Sequence, residues 1–160
     1  MIVIADTSPI NYLMRIGEIE VLPKLYGRIL VPPSVCDELK RPQAPESVRL
    51  WIARPPAWLE IRVPGQKPDA ELVKADLDDG ERDAILLAQE LDAEELIIDE
   101  MRGRKEAQRR HLHFIGTLGV LRTADRQGLL DFKTAVDQLR RTSFYIAQDI
   151  LDRLISGQED

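Results

Sequence analysis

The chain opens with Ile2-Val3-Ile4-Ala5-Asp6-Thr7-Ser8-Pro9, in which four apolar residues lead directly into an acid and a helix-start signal. A short apolar run rich in β-branched residues is typical of a buried strand in a parallel sheet. Ser8 suits the N-cap of a helix, and Pro9 suits the first helical position. This stretch therefore predicts a buried strand that ends at an acid and is followed by a helix.

The alternation of strand and helix continues along the chain. Strand-like segments lie at residues 28–31, 59–63, 95–98 and 113–115, and helical patterns lie between them. Such alternation is typical of an α/β fold, in which helices pack on a mostly parallel sheet. After the last strand, a helix is predicted from Gly116 to about Gly128, followed by a pair of C-terminal helices at residues 131–142 and 146–155.

The composition fits one globular domain of 160 residues, of which 44% are apolar and 31% charged. A domain usually has about 100–200 residues. No apolar run approaches the roughly 20 residues of a membrane span, and no secretion signal is visible. The single Cys36 excludes an internal disulfide and a cysteine-based zinc cluster. We therefore expect a cytoplasmic protein with no membrane partner.

The net charge of −6 hides an uneven distribution. Residues 69–100 contain 13 acids and two bases, a net charge of −11, so the rest of the chain carries 20 bases and 15 acids, a net of +5. Residues 101–126 hold seven bases against two acids. Such asymmetry can mark a nucleic-acid or metal site, although a solvated helix surface is the commoner explanation of a charged run.

Four acids lie near positions where an α/β fold places its sites, at the carboxyl ends of strands. Asp6 and Asp99 each follow a strand directly, whereas Glu38 and Asp83 lie on predicted helices. Converging carboxylates are the ligands that hard divalent cations such as Mg²⁺ prefer. Each acid also has a structural explanation. Asp6, Asp83 and Asp99 lie at helix starts, where acids are favoured, and Glu38 could be an ordinary exposed helix residue.

Four stretches together resemble the PIN-domain family, metal-dependent ribonucleases that include the VapC-type toxins of bacterial toxin–antitoxin pairs. Each stretch contains one of the four acids. The stretches are Ile2-Val3-Ile4-Ala5-Asp6-Thr7-Ser8, Val35-Cys36-Asp37-Glu38-Leu39, Asp83-Ala84-Ile85-Leu86-Leu87-Ala88 and Ile97-Ile98-Asp99-Glu100. The order of the four acids carries the resemblance, which covers residues 1–126.

More narrowly, the chain is similar to a PIN-like prokaryotic subfamily known mainly as a domain of unknown function. The similarity lies in Asp6-Thr7-Ser8-Pro9-Ile10, Gly80-Glu81-Arg82-Asp83-Ala84-Ile85, Asp99-Glu100-Met101-Arg102-Gly103-Arg104 and Gly116-Thr117-Leu118-Gly119. The chain departs from ordinary PIN toxins at Ile98, where a Thr usually precedes the fourth acid. The helices from Asp131 onward are extra.

The resemblance implies a PIN-like three-layer sandwich with a nuclease core at residues 1–128 and a helical extension at 129–160, packed on the same domain. It implies an endoribonuclease in which Mg²⁺ or Mn²⁺ activates a water that hydrolyses an RNA phosphodiester. The implied ligands and catalytic residues are Asp6, Glu38, Asp83 and Asp99. Residues expected beside them, as supports or alternative ligands, are Thr7, Ser8, Glu81 and Glu100.

Bases that follow the fourth acid are the candidates for RNA binding. Arg102, Lys105 and Arg109 share one face of a predicted helix. Arg104 could contact RNA or pair with a site carboxylate. An exposed helix in which Glu106 pairs with Arg110 explains the same pattern. The resemblance further implies a small antitoxin protein and a second copy of the chain, in a homodimer, as partners.

Two other functions fit parts of the pattern. A phosphatase or phosphotransferase of the haloacid-dehalogenase type would use Asp6 as its nucleophile. That chemistry normally needs a second acid two residues further on, where this chain has Ser8. A PIN-like module with a degenerate metal site would bind RNA or a protein partner without cutting it. Cation binding and an RNA cleavage assay separate these functions.

Overall fold

The structure is a computed structural model that describes residues 1–146, 150 and 152. The strands in this part of the chain are β1 Val3–Ala5, β2 Ile29–Val31, β3 Leu59–Ile61, β4 Glu95–Ile97 and β5 Phe114–Ile115. The helices are α1 Thr7–Arg15, α2 Val21–Tyr26, α3 Pro33–Leu39, α4 Glu46–Ala53, α5 Ala70–Lys74, α6 Asp79–Glu90, α7 Met101–Arg109, α8 Thr117–Arg126 and α9 Phe132–Arg140.

The five strands form one sheet in the order β3-β2-β1-β4-β5, with every pair parallel. The prediction of an α/β fold with a mostly parallel sheet is confirmed. β1 lies in the centre, between β2 and β4, so all three of its residues are buried. Because the strands are parallel, their carboxyl ends meet at one edge of the sheet.

Helices cover both faces of the sheet, and successive residues of one strand point to opposite faces. Val3 and Ala5 of β1 join one core cluster with α1–α4, α8 and α9, whereas Ile4 joins a second cluster with α5, α6 and α7. The predicted three-layer arrangement, with helices on both faces of the sheet, is therefore present. None of the helices in the described ranges is both long enough and apolar enough to cross a membrane.

The first helix begins earlier than predicted. Asp6 has extended backbone angles and occupies the N-cap position, so α1 begins at Thr7. The prediction of Ser8 as the N-cap was wrong. Pro9 is the third helical residue, still within the first turn, where a missing backbone N–H removes no intrahelical bond. The early start brings Asp6 to the junction of strand and helix.

The helix predicted at 131–142 is present as α9, which ends at Arg140. Asp131 caps it, accepting a hydrogen bond from the Thr134 amide at 3.0 Å. Its apolar face packs beside α8 in the same cluster as β1, with Phe132, Ala135, Val136 and Leu139 buried. The helix predicted at 146–155 falls mostly outside the described residues, which there comprise 146, 150 and 152.

Candidate metal centre

Asp6 lies at the carboxyl end of the central strand. Its backbone N–H donates to the Ile97 carbonyl at 2.9 Å, which extends the pairing of β1 with β4 by one residue. Its side chain is directed into the protein and is only 3% exposed. The Oδ1 atom has no hydrogen-bond partner among the described residues. A buried carboxylate oxygen without a donor costs free energy, so Asp6 is poised to accept a ligand.

Glu38 reaches the same place from α3 and is held by two donors. The Thr7 hydroxyl donates to Oε1 at 2.5 Å, and the Gly80 amide donates to Oε2 at 2.8 Å. The carboxylate lies so close to Gly80 that a Cβ there would be 2.6 Å from Oε1. Residue 80 therefore needs to be glycine for Glu38 to keep this position.

Asp78 is the third acid at this site, and it is held by a capping box at the start of α6. Its Oδ1 accepts from the Glu81 amide at 2.8 Å, and its own amide donates to Glu81 Oε1 at 3.0 Å. The two residues satisfy each other's backbone groups, which anchors the first turn of the helix. The capping bond orients the Asp78 carboxylate beside Asp6 and Glu38.

Asp6, Glu38 and Asp78 form a compact group, in which one oxygen from each lies within 4.8 Å of the others. We call these three residues the acidic triad. Burial raises the pKa of Asp6 well above its usual range, and the charges of Asp78, Glu81 and Glu38 add to the effect. Burial also raises the pKa of Glu38, although the Thr7 hydroxyl and Gly80 amide oppose the shift.

The acidic triad fits a divalent cation. It offers three carboxylates on a solvent-accessible cavity of about 330 Å³, and one of them has a buried oxygen that receives no hydrogen bond from the described part of the chain. Hard cations such as Mg²⁺ take a few carboxylate oxygens and keep several waters. A cation would also relieve the mutual repulsion that raises the pKa of Asp6. The triad could therefore hold a metal ion.

Asp83 lies elsewhere on α6. It is the fifth residue of the helix, more than one turn from the helix start, and its Oδ1 accepts from Arg82 Nε at 3.0 Å. The structure does not bring it into the acidic triad, where Asp78 stands instead. The spacing Asp78-x-x-Glu81 is the sequence signal that could have found Asp78, because a capping box places its first acid at the helix end.

Glu81 and Glu100, the predicted alternative ligands, both line the cavity of the triad. Glu81 is completely buried, and its Oε2 has no hydrogen-bond partner in the described part of the chain. Burial raises the pKa of Glu81, and the Asp78 charge adds to the shift, while the Arg102 charge opposes it. Glu81 therefore supports Asp78 through one oxygen and keeps a second oxygen for another ligand.

Asp99 is occupied by protein donors. Its Oδ1 accepts from the Thr117 amide at 2.7 Å, and its Oδ2 accepts from the Thr117 hydroxyl at 2.7 Å and the Ser8 hydroxyl at 3.2 Å. The N-cap position of α8 is Gly116, which has no side chain, so Asp99 caps that helix from the end of β4. Of the two hydroxyls that were predicted to support the site, that of Thr7 therefore donates to Glu38 and that of Ser8 donates to Asp99.

Replacing Asp99 by Ala is expected to lower the free energy of unfolding by about 2–3 kcal/mol, because α8 loses its cap and the buried Thr117 hydroxyl loses its acceptor. Urea denaturation without divalent cations measures the change. Asp83→Ala serves as the control and should cost less than about 1 kcal/mol, since it breaks only a part-exposed ion pair. Equal losses in the two variants would contradict a capping role for Asp99.

The bases of α7, and Arg110 directly after it, are mostly paired with acids from the segment before α6. Arg102 pairs with Asp76 at 3.0 Å, Arg109 with Glu71 at 2.9 Å, and Arg110 with Asp69 at 2.9 Å. Glu106 also pairs with Arg110, as one of the two interpretations of this helix expected. Among the described residues, the exceptions are Lys105 and Arg104, which form no ion pair; the Arg104 Nε donates to the Ile98 carbonyl at 3.1 Å.

Comparison with solved structures supports the fold. The chain is similar to a PilT N-terminus domain protein from the hyperthermophilic archaeon Sulfolobus solfataricus, with a TM-score of 0.52 over 92% of this chain and 100% of the other. The two sequences are 13% identical, so the likeness concerns the fold alone. A search of curated protein sequences found no significant match.

Comparison with family models gives a match to nearly the whole chain. The model of the DUF3368 family, described as a PIN domain, matches residues 2–159. The match includes the motifs around Asp6, Gly80, Asp99 and Gly116, and it continues through α9. Together with the parallel sheet and the acids at its carboxyl edge, this match shows that the chain belongs to the PIN domain family.

Proposed function

We propose that the protein is a metal-dependent ribonuclease that hydrolyses RNA phosphodiesters at the acidic triad. One observation carries the proposal: three carboxylates from different segments converge at the carboxyl edge of the sheet, and the buried Asp6 Oδ1 has no donor among the residues that the structure describes. Bound there, Mg²⁺ or Mn²⁺ would supply a water of lowered pKa and positive charge for the leaving oxygen. The residues that would hold the cation are Asp6, Glu38 and Asp78.

The protein's own contribution is to fix these acids before a ligand arrives. Thr7 and Gly80 lock both oxygens of Glu38, the Glu81 amide orients Asp78, and burial confines Asp6. Such supporting contacts are known to tune metal affinity strongly. Asp99 would act one step further out, through Ser8, by holding the start of α1 beside the triad. Asp83 as a ligand stays a prediction without support from this geometry.

RNA would approach along the side of the triad that carries the bases of α7. Arg104 and Lys105 are the first candidates, since neither is engaged by a carboxylate in the described part of the chain. Arg102 and Arg109 would first have to exchange Asp76 and Glu71 for phosphates. The RNA target would place the protein in the cytoplasm.

A toxin role belongs to the same proposal and rests on the resemblance to VapC-type toxins. Such a role implies a small antitoxin protein and a homodimer as partners. Two exposed large apolar side chains that could contribute to such contacts are those of Val63 and Val73. Co-expression that restores growth in the presence of a neighbouring short gene would support an antitoxin, and sedimentation of the pure protein measures its oligomeric state.

A cleavage assay with Mn²⁺ or Mg²⁺ titrated over single-stranded RNA tests the nuclease proposal. Glu38→Gln is expected to lower the cleavage rate at least about 100-fold, because the triad loses a charged ligand. Asp83→Asn is the matched control on α6 and should cut within about threefold of the unmodified chain. If Asp83→Asn is the inactive variant and Glu38→Gln is active, the triad is the wrong site.

The same experiment tests the alternative that the protein is a binding module with a degenerate metal site. RNA binding without cation-dependent cleavage at any metal concentration would identify a binding module rather than a nuclease. The observation that favours this alternative is Asp99, whose two oxygens are already taken by Thr117 and Ser8.

A further inference from the structure

A second cavity, of about 510 Å³, adjoins the cavity of the acidic triad. Ser8, Tyr12 and Glu100 line both cavities, so the two are continuous at the start of α1. A ligand whose charged group reaches the triad therefore has its neighbouring group in the second cavity. The volume lies within the range of roughly 300–1,000 Å³ typical of small-molecule sites. We call it the aromatic cavity, for the side chains of its wall.

The wall of the aromatic cavity presents ring faces next to polar atoms. Tyr12 and Phe144 pack edge to face, with ring centroids 4.9 Å apart at 85°. The Tyr12 hydroxyl lies 2.8 Å from the Ser143 hydroxyl. Tyr145 stands at the rim and is 85% exposed. Rings and hydrogen-bonding groups side by side are what proteins use to bind unpaired bases, which stack on the rings and bond through their edges.

Arg104 is the cationic side chain in the wall of the aromatic cavity, which Asp99 and Glu100 also line. Of the arginines on α7, it alone has no carboxylate partner within the part of the chain that the structure describes. Its Nε is fixed on the Ile98 carbonyl at the end of β4, and its guanidinium lies 5.8 Å from the Phe114 ring centroid. The remaining N–H groups suit a phosphate, which guanidinium binds well.

We propose that the aromatic cavity binds the unpaired nucleobase next to the phosphate that reaches the acidic triad, with Arg104 holding the adjoining phosphate. The placement of that first phosphate rests on the proposed nuclease function. A nucleotide supplies both a ring that stacks on the aromatic wall and a phosphate for Arg104, whereas an apolar side chain of a partner protein would use the wall alone. A base that is paired in a duplex cannot enter the cavity, so the proposal predicts weaker binding of a duplex.

Base binding can be measured without cleavage. The full chain carrying Asp6→Asn is titrated into a short single-stranded RNA that carries the fluorescent base 2-aminopurine at one position, moved along the strand in successive oligonucleotides. We expect quenching at one position, where the analogue stacks. Tyr145→Ala in this background should raise Kd about tenfold and reduce the quenching, because base–aromatic stacking is lost. Tyr145→Phe keeps the ring and should stay within about twofold.

Controls separate the base site from general electrostatic binding. Leu50→Ala removes another exposed apolar side chain, outside the cavity, and should leave Kd and quenching unchanged. The same RNA in a duplex should bind more weakly and show no position-specific quenching. If Tyr145→Ala leaves Kd unchanged, if RNA fails to bind, or if a duplex binds equally well, the proposal is overturned and a protein side chain becomes the better occupant.

The outcome is independent of the nuclease proposal. Quenching that depends on Tyr145, combined with no cleavage by the unmodified chain, would keep the base site and reject the nuclease. Cleavage that depends on Glu38, combined with no effect of Tyr145→Ala on Kd or quenching, would keep the nuclease and reject the base site.

Discussion

Replacing Asp6 by Asn is expected to lower the rate of cation-dependent RNA cleavage at least about 100-fold and, without cations, to stabilise the fold at neutral pH. The cleavage loss follows from removing the most buried carboxylate of the acidic triad. The gain in stability follows because the neutral amide avoids the cost of a desolvated charge beside Glu38 and Asp78. One substitution thus moves activity and stability in opposite directions.

The stability gain has a defined pH dependence. Burial raises the pKa of Asp6 in the folded state above its unfolded value, which is about 3.9. The contribution of Asp6 to the free energy of unfolding is therefore fully present below its pKa in the unfolded chain, and it is lost as the pH rises through its pKa in the folded protein. Asp69 and Asp131 change the stability in the opposite direction with pH, because contacts with Arg110 and Thr134, respectively, lower their pKa. Both groups are present in the unmodified chain and in Asp6→Asn, so their effects cancel in a comparison of the two. The difference between the two proteins consequently isolates Asp6.

Urea denaturation of the unmodified chain and of Asp6→Asn, from about pH 4 to about pH 8 in EDTA, measures this difference. The curves should converge near pH 4 and separate as the pH rises. Adding Mn²⁺ at 100 times its Kd should stabilise the unmodified chain by about 2.7 kcal/mol and the variant by much less. A variant that is less stable than the unmodified chain at neutral pH, or equally stabilised by Mn²⁺, would contradict the role given to Asp6.

Replacing Gly80 by Ala is expected to weaken cation binding about 10- to 100-fold while the protein stays folded. The new Cβ would meet the Glu38 carboxylate, with Oε1 at 2.6 Å and Oε2 at 2.9 Å. Because that carboxylate is the end of a flexible side chain, it moves instead of the backbone and leaves the triad. The gain of about 0.4–1 kcal/mol from Ala in place of Gly partly offsets the lost hydrogen bond.

Gly65→Ala is a matched control for this substitution. The Gly65 amide also donates to a carboxylate, Glu90 Oε1 at 2.8 Å, and a Cβ there would also lie 2.8 Å from that oxygen. The contact is exposed and outside the cavity of the triad. Calorimetric titration with Mn²⁺ should give the control variant the affinity of the unmodified chain. Equal affinities for all three proteins would show that Glu38 is not a ligand.

Local sequence patterns predicted the fold well, because each strand carries its own signal. The apolar run before Asp6 has the composition of a strand buried on both faces, and β1 is the central strand of the sheet. The order of the strands, in contrast, could not be predicted from local patterns. β1 pairs with β4, 92 residues away at Val3 and Glu95, and nothing local encodes such a distant pairing. The expectation of a parallel sheet came from the alternation of elements.

The candidate site was predictable where an acid follows a strand and less so on helices. Asp6 and Asp99 are at strand ends as expected, but only their contacts show that Asp99 is taken up by Thr117. On α6 the ligand role of Asp83 stays a prediction, because this residue lies more than one turn from the helix start, whereas Asp78 at the start belongs to the triad. The acids outside α7 that pair with Arg102, Arg109 and Arg110 lie 26 to 41 residues away in sequence, so these ion pairs could not be foreseen, unlike the pair of Glu106 with Arg110.

The hydrogen bonds of the acidic triad make two neighbouring backbone amides into reporters of its state. The Gly80 amide donates to Glu38 and the Glu81 amide to Asp78, each at 2.8 Å. Anything that changes the charge on those carboxylates changes the polarisation of the two N–H groups. Their resonances in a nitrogen–proton spectrum can therefore follow occupancy of the site directly, residue by residue, in a protein given neither RNA nor a label on any side chain.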